Sequence, residues 1–235
     1  IDWFFEYVDE GIILEDDCLP SKSFFWFCQE LLEKYRDNDK VMQINGNFFL
    51  DGVMEFENSY YFSTLNGCWG WATWKRAWDQ FDSKMSGYSS YKAKGWIDDY
   101  FKNKDISDWM ISYLDEAVLP SCNIWSTQWA YSIIKSGGLS ITPTTHLVKN
   151  IGFFGDGTTG SHESFELYME FDVGDIDDIE HPSRVSHNEK ADELHFNTVI
   201  KITDPRLSNS KKSRIMKILI PVWIRKIIKR IFFLK

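Results

Sequence analysis

Gly11-Ile12-Ile13-Leu14 runs directly into Glu15-Asp16-Asp17, and this junction constrains the fold more than any other feature of the chain. A short apolar run with β-branched residues asks for a buried place in a sheet. Three adjacent carboxylates ask for water or for neutralisation. The junction therefore reads as a buried strand that delivers acids at its carboxyl end, where open α/β sheets bind ligands. Adjacent carboxylates repel one another, and a bound cation relieves that repulsion. Hard divalent ions take oxygen ligands, typically one or two carboxylates together with substrate phosphates. On these residues alone, a solvated acidic turn stays open as the plainer reading.

The remaining patterning predicts strands over 11–15, 40–45, 60–63 and 139–143, the last cut short by Pro143. Helical periodicity marks 2–8, 24–35, 96–101, 107–118, 125–136 and 192–202, and composition suggests a further helix over 71–81. Residues 88–94 read as loop. Strands separated by helices indicate an α/β fold, with one large domain over 1–205 and a tail over 206–235. The first residue is Ile1, in what reads as the last turns of a helix, so the expectation is that an earlier β-α unit precedes this segment.

Charge is uneven. Ten of the 26 Lys and Arg lie from Arg206 onward, where there is no Asp or Glu; taking that +10 from the net −9 leaves −19 on residues 1–205. An acidic body excludes nucleic acid as an expected partner. In the tail, Lys and Arg interrupt every apolar run, so none approaches the ~20 residues that span a bilayer. A cationic amphipathic segment broken at Pro221 and carrying Trp223 suits an anionic membrane surface; a helix docked on the acidic body is the alternative. Cys18, Cys28, Cys68 and Cys122 form no C-x-x-C pair, which reads as reduced thiols of a cytosolic protein rather than two disulfides. The five histidines show no zinc spacing. No P-loop, G-x-G-x-x-G or G-x-S-x-G occurs.

Eleven tryptophans exceed what packing alone requires, and they cluster. Asn66-Gly67-Cys68-Trp69-Gly70-Trp71-Ala72-Thr73-Trp74 sets glycines beside flat apolar walls, suited to a sugar ring or base and equally to a tryptophan-rich core turn. Trp125-Ser126-Thr127-Gln128-Trp129 opens a helix that Ser126 or Thr127 could cap. Asn150-Ile151-Gly152-Phe153-Phe154-Gly155-Asp156-Gly157-Thr158-Thr159-Gly160 offers donors and an acid for a diphosphate or metal, or a glycine-rich turn.

In this order, these segments resemble the GT-A glycosyltransferases. The run from Gly11 to Phe25 is similar to the metal-binding segment of bacterial haemolytic-protein-like nucleotide-diphospho-sugar transferases, and to the Glu-Asp-Asp segment of the N-acetylglucosaminyltransferase I family. The motifs at Trp69–Trp74, Trp125–Trp129 and Asn150–Phe153 follow in the same order, and His181-Pro182 also fits. The resemblance covers residues 1 to about 203. It implies a GT-A fold with a mixed sheet flanked by helices, transferring a sugar from a nucleotide-diphosphate donor to a glycan or lipid-linked acceptor in surface-polysaccharide synthesis. Asp17 would hold Mn2+ or Mg2+, and Glu15 and Asp16 would contact the donor. Trp69, Gly70, Trp71, Trp125, Gln128, Trp129 and Asp156 would line the substrate site. With the basic tail, this implies a cytoplasmic protein peripheral on the inner face of the membrane. Two departures stand out: Ser126 occupies the position where the family places its aspartate base, and Thr159 stands where it tends to carry histidine. They leave a catalytically degenerate glycan-binding or scaffold module as the alternative.

Overall fold

The protein is described by a computed structural model, which covers residues 1–119, 122, 124–152, 168, 171–204 and 206–207. A five-stranded mixed sheet forms its centre. The strands are β1 (Glu10–Ile13), β3 (Val41–Asn45), β4 (Tyr60–Ser63), β5 (Trp71–Trp74) and β6 (Leu139–Pro143), in the order β1-β5-β3-β6-β4. β5 is antiparallel to both β1 and β3, and β3 is parallel to β6. The carboxyl ends of β1, β3 and β6 therefore lie on one side of the sheet. A two-stranded ribbon, β2 (Cys18–Pro20) with β7 (Val148–Asn150), stands apart from it.

The sheet's two faces differ in chemistry. Helix α2 (Lys22–Lys34) is started by Ser21, whose hydroxyl accepts from the Phe24 N–H. It lays Phe24, Phe27 and Leu31 on Val41, Ile44, Phe62, Ala72, Trp74 and Ile141. Each such side chain stabilises the fold by about 1.5–3 kcal/mol on full burial. The opposite face bears polar side chains, Gln43, Asn45 and Thr142, and helix α7 (Trp125–Lys135) lies over it. There Trp129 and Ile133 pack on Met42, Trp71 and Trp78, the last from α3 (Lys75–Trp78). Helices α4 (Tyr88–Ala93), α5 (Trp96–Phe101) and α6 (Lys104–Ala117) pack with α7 around Leu65, Ile106, Leu114 and Tyr131. Short α1 (Asp2–Phe5) precedes the sheet. The last helix among the described residues runs as α8 (Glu189–His195), a π-helical turn (Phe196–Ile200) and α9 (Lys201–Thr203).

Several expectations are corrected. β1 is an edge strand, half-buried throughout, not a buried central one. Residues 71–74 form a strand rather than the start of a helix. Pairing on both sides, with β1 and β3, holds the alternation Trp71/Thr73 against Ala72/Trp74, and aromatic and β-branched residues suit that pleat. Residues 88–93 are helical because Gly87 and Gly95, at φ +81° and +72°, turn the chain sharply at either end. Pro20 ends a strand, and Ser21 behind it is the helix cap. All four cysteines are free, with Cys28 buried and the others half-buried. Among the described residues no helix is long and apolar enough to cross a membrane. The basic tail from residue 208 onward lies outside the described residues.

Candidate functional site

The acids sit in the turn between β1 and β2. Two backbone bonds shape that turn, Cys18 N–H to Glu15 O at 3.1 Å and Ile151 N–H to Asp17 O at 2.8 Å. The ribbon partner of Cys18 is Asn150, so the chain after β7 passes directly beneath Asp17. Gly152 is what permits this, since a Cβ there would lie 2.3 Å from Asp17 Oδ2. Glu15, Asp17 and Cys18 bring one ligand atom each to within 4.8 Å of one another. Asp16 points to solvent. The set that gathers is thus two carboxylates and a thiol, and Cys18 is a member that the acidic run did not advertise.

The electrostatics match this crowding. Glu15 is raised above the usual carboxylate range, first by burial and then by the charges of Asp17 and Asp16. Burial also pushes the Cys18 thiol up to about 11, and its Sγ donates to Asp17 Oδ1 at 3.7 Å. A cation placed here would offset the same repulsion. The oxygen pair fits a hard divalent ion, with the thiol as a softer neighbour.

Beside this turn lies a cavity of about 300 Å³. Asn45 and Thr142 form its floor on the sheet. Its walls are Phe49 and Trp69 on one side, Ser126, Thr127 and Ala130 of α7 on another, and Tyr113, His195 and Ile200 on a third. Cys68 joins the two regions: it lines the cavity, and its thiol is pushed up to about 12 by burial and then by the charges of Glu15 and Asp17.

The floor is a tight amide network. Gln43 Nε2 donates to Asn45 Oδ1 and to Gly67 O, Trp129 Nε1 donates to Gln43 Oε1 at 2.6 Å, and Asn45 Nδ2 donates to Thr142 Oγ1 at 3.0 Å. Burial keeps His195 a free imidazole, with a pKa lowered to about 4. Its helix is held by Asp192, which is 1% exposed and accepts from Ser63 Oγ, Thr64 N–H and Thr64 Oγ1. The Asp192 Oδ2 also meets His187 Nε2 at 2.7 Å.

The anticipated substrate residues separate into two groups. Trp69 and the Ser126 hydroxyl line the cavity. Neither Ser126 nor Thr127 caps α7, whose N-cap is Ile124 without a side-chain bond; both hydroxyls are left to the cavity instead. Trp71, Gln128 and Trp129 are buried, and Trp125 stacks on Trp71 at 5.9 Å, so these four build the support behind the wall. Gly70, at φ +68°, sits under Val148, which a Cβ there would meet at 2.8 Å. Asp156 and Thr159 lie outside the described residues. His181 bridges Tyr60 and Glu30 on the α2 face, remote in role from the cavity. Asn45, Asn47, Thr127 and His195 were not anticipated. Asn45-Gly46-Asn47 is a turn-forming run that sets two amides at the carboxyl end of β3, and it is the one local signal for them.

Comparison with protein-family models, with curated proteins and with solved structures finds no match for this chain. Fold and site therefore define a class on their own evidence: a mixed α/β protein with an acidic turn and, beside it on the polar face of the sheet, an aromatic–amide cavity whose described lining carries no charged side chain.

Proposed function

We propose that this chain is the catalytic-core portion of a GT-A type glycosyltransferase, moving a sugar from a nucleotide-diphosphate donor to a glycan or lipid-linked acceptor in surface-polysaccharide synthesis. The observation that carries the reading is the adjacency of two unlike subsites. The carboxylates of Glu15 and Asp17 gather in one turn, as the reading requires for a metal-bound diphosphate, and an aromatic–amide cavity adjoins them through Cys68. Asp17 and Glu15 would hold Mn2+ or Mg2+, with the Cys18 thiol beside them. The ion, when bound, supplies Lewis-acid stabilisation of the departing diphosphate.

The chain's own residues do the rest. Trp69 would give the sugar a flat apolar face, and Phe49, packed among Trp69, His146, Tyr168, Phe171 and His195, supports that wall. Asn47, Asn66, Ser126 and Thr127 orient its hydroxyls. Among the described residues lining the cavity, His195 is the one imidazole, and burial, which lowers it to about 4, makes it a weak acceptor of a hydroxyl proton at neutral pH, so no base is assigned. The basic tail would bring the enzyme to an anionic membrane surface on the cytoplasmic side.

Mn2+-dependent binding and turnover of a panel of nucleotide sugars test the reading. Asp17→Ala is expected to abolish metal-dependent turnover while leaving the fold intact by circular dichroism; unchanged turnover in that variant would sink it. A second reading, a degenerate glycan-binding module, is favoured by one observation: a hydroxyl, Ser126, stands at the expected base position, and no carboxylate lines the cavity among the described residues. If Ser126→Asp greatly raises turnover, that second reading gains.

A further inference from the structure

The cavity is polar without being charged. Its described lining includes three asparagines, two threonines, a serine, a histidine, two tyrosines and two tryptophans, and no Asp, Glu, Lys or Arg. Part of this polarity is already committed. Asn45 is consumed by Gln43, Gly67 and Thr142, and both Tyr113 and Trp109 donate to Asp204.

Five groups are not committed. The Asn47 side chain donates through Nδ2 to Val148 O at 3.0 Å, which leaves its Oδ1 without a partner. The Asn66 amide, the Ser126 and Thr127 hydroxyls and the His195 imidazole also make no side-chain hydrogen bond among the described residues. Asn47 and Thr127 are only 7% and 9% exposed, so their free atoms look into the cavity rather than into bulk water. None of the five is sealed off, since the buried side-chain atoms without a partner among the described residues are Trp71 Nε1 and Ser140 Oγ. Accessible polar groups that converge on one space suit a ligand carrying several hydroxyl or amide groups.

We propose that this cavity is a subsite for an uncharged pyranose, and that it excludes sugars bearing a carboxylate, the uronic and sialic acids. The half-buried indole of Trp69 suits the apolar side of a sugar ring, while Phe49 is packed among Trp69, His146, Tyr168, Phe171 and His195. The five free groups are donors and acceptors matched to ring hydroxyls or an N-acetyl group. A carboxylate in the same place would find no countercharge among the described lining residues, and burying an unpaired charge is heavily disfavoured. Without a bound cation, the acids on the far side of Cys68 repel it further. His195 offers no rescue, because burial holds it neutral. The inference rests on the reading of the cavity as a sugar site and adds to it the class of sugar. Donor and acceptor sugars share this chemistry.

The test titrates the full chain, labelled with 15N at its tryptophan indoles, with methyl β-glucopyranoside and with methyl β-glucuronide. The Trp69 signal is assigned by Trp69→Phe. The glucoside is expected to shift that signal, and the glucuronide to bind at least about 100-fold more weakly. Asn66→Lys, which adds a cation at the half-buried rim, is expected to gain glucuronide binding. Equal binding of both glycosides, or binding of neither, overturns the proposal. With Mn2+ present, a matched preference for UDP-glucose over UDP-glucuronate assigns the cavity to the donor sugar. Equal affinity for those two nucleotides, with the glucoside preference retained, assigns it to the acceptor. If glycoside selectivity is absent while Asp17-dependent turnover persists, this inference falls and the transferase reading stands.

Discussion

Replacing Asp192 is the most informative single perturbation of this fold, because one buried carboxylate joins the last helix to the end of β4. Its side chain is 2% exposed and meets Ser63 Oγ at 2.5 Å, Thr64 N–H at 2.8 Å, Thr64 Oγ1 at 2.6 Å and His187 Nε2 at 2.7 Å. Hydrogen bonds to a charged group contribute about 1.5–3 kcal/mol each, so a plain sum over four exceeds the true cost. The Ser63 hydroxyl already accepts from Leu65 N–H at 2.9 Å, and the hydroxyls of Ser63 and Thr64 can rotate. The Thr64 N–H cannot. A buried donor left without its acceptor costs about 1–3 kcal/mol, and more than one loses its acceptor here, so Asp192→Ala is expected to cost about 3–5 kcal/mol. For a chain of this length that corresponds to a fall in Tm on the order of 10 °C. Asp192→Asn keeps an acceptor for Thr64 N–H and should lose about half as much. Urea and thermal unfolding followed by tryptophan fluorescence measure both variants. An Asp192→Ala protein within about 1 kcal/mol of the parent would refute the reasoning, since surface substitutions already vary by about half that.

Other consequences are open to measurement. Gly152→Ala places a methyl group 2.3 Å from Asp17 Oδ2, so Asp17 must swing out of the cluster; Mn2+ affinity by calorimetry should fall about 10–100-fold, as it does when a ligand loses its orientation, with the melting profile little changed. His146 and His195 both have pKa values lowered to about 4 by burial. The unfolded chain therefore binds more protons than the folded one between about pH 6.5 and 4. The stability these residues contribute is present above pH 6.5 and is lost as pH falls toward 4, by up to about 7 kcal/mol in all at about 1.4 kcal/mol per pH unit and group. Urea midpoints across that range should show it, and His146→Gln with His195→Gln should flatten the curve. Gly70→Ala combines a left-handed φ of +68° with a contact of 2.8 Å to Val148; it should destabilise by about 1–3 kcal/mol.

Legibility followed the range of the interactions. Helix α2 could be read because its cap at Ser21 and its apolar face are local, and β4 because Tyr60–Ser63 is bounded by turn-forming residues. The strand at 71–74 could not, because what makes it a strand is β1 and β3 on either side, sixty and thirty residues back in the chain. The acidic turn was legible as an acidic turn. Its third member, Cys18, depends on a ribbon closed by Asn150, which no local pattern carries. Trp71, Trp125 and Trp129 looked like a binding wall, since a tryptophan cluster reads the same whether it faces a ligand or a core. Only the packing of α7 on the sheet assigns them to the interior. His195 sat inside an ordinary helical period and gave no signal at all.

That last helix carries one more consequence. In an α-helix, residues five apart are about 140° out of phase, so His195 and Ile200 ought to face different neighbours, yet both line the cavity. The π-helical turn over Phe196–Ile200, closed by the Lys201 N–H on Phe196 O, absorbs the difference by spending one extra residue in a single turn. The wall is thus built on a phase slip. Deleting one residue between 196 and 200 would give a more regular helix and turn His195 away by about 100°. The chain would keep its architecture and lose one side of its cavity.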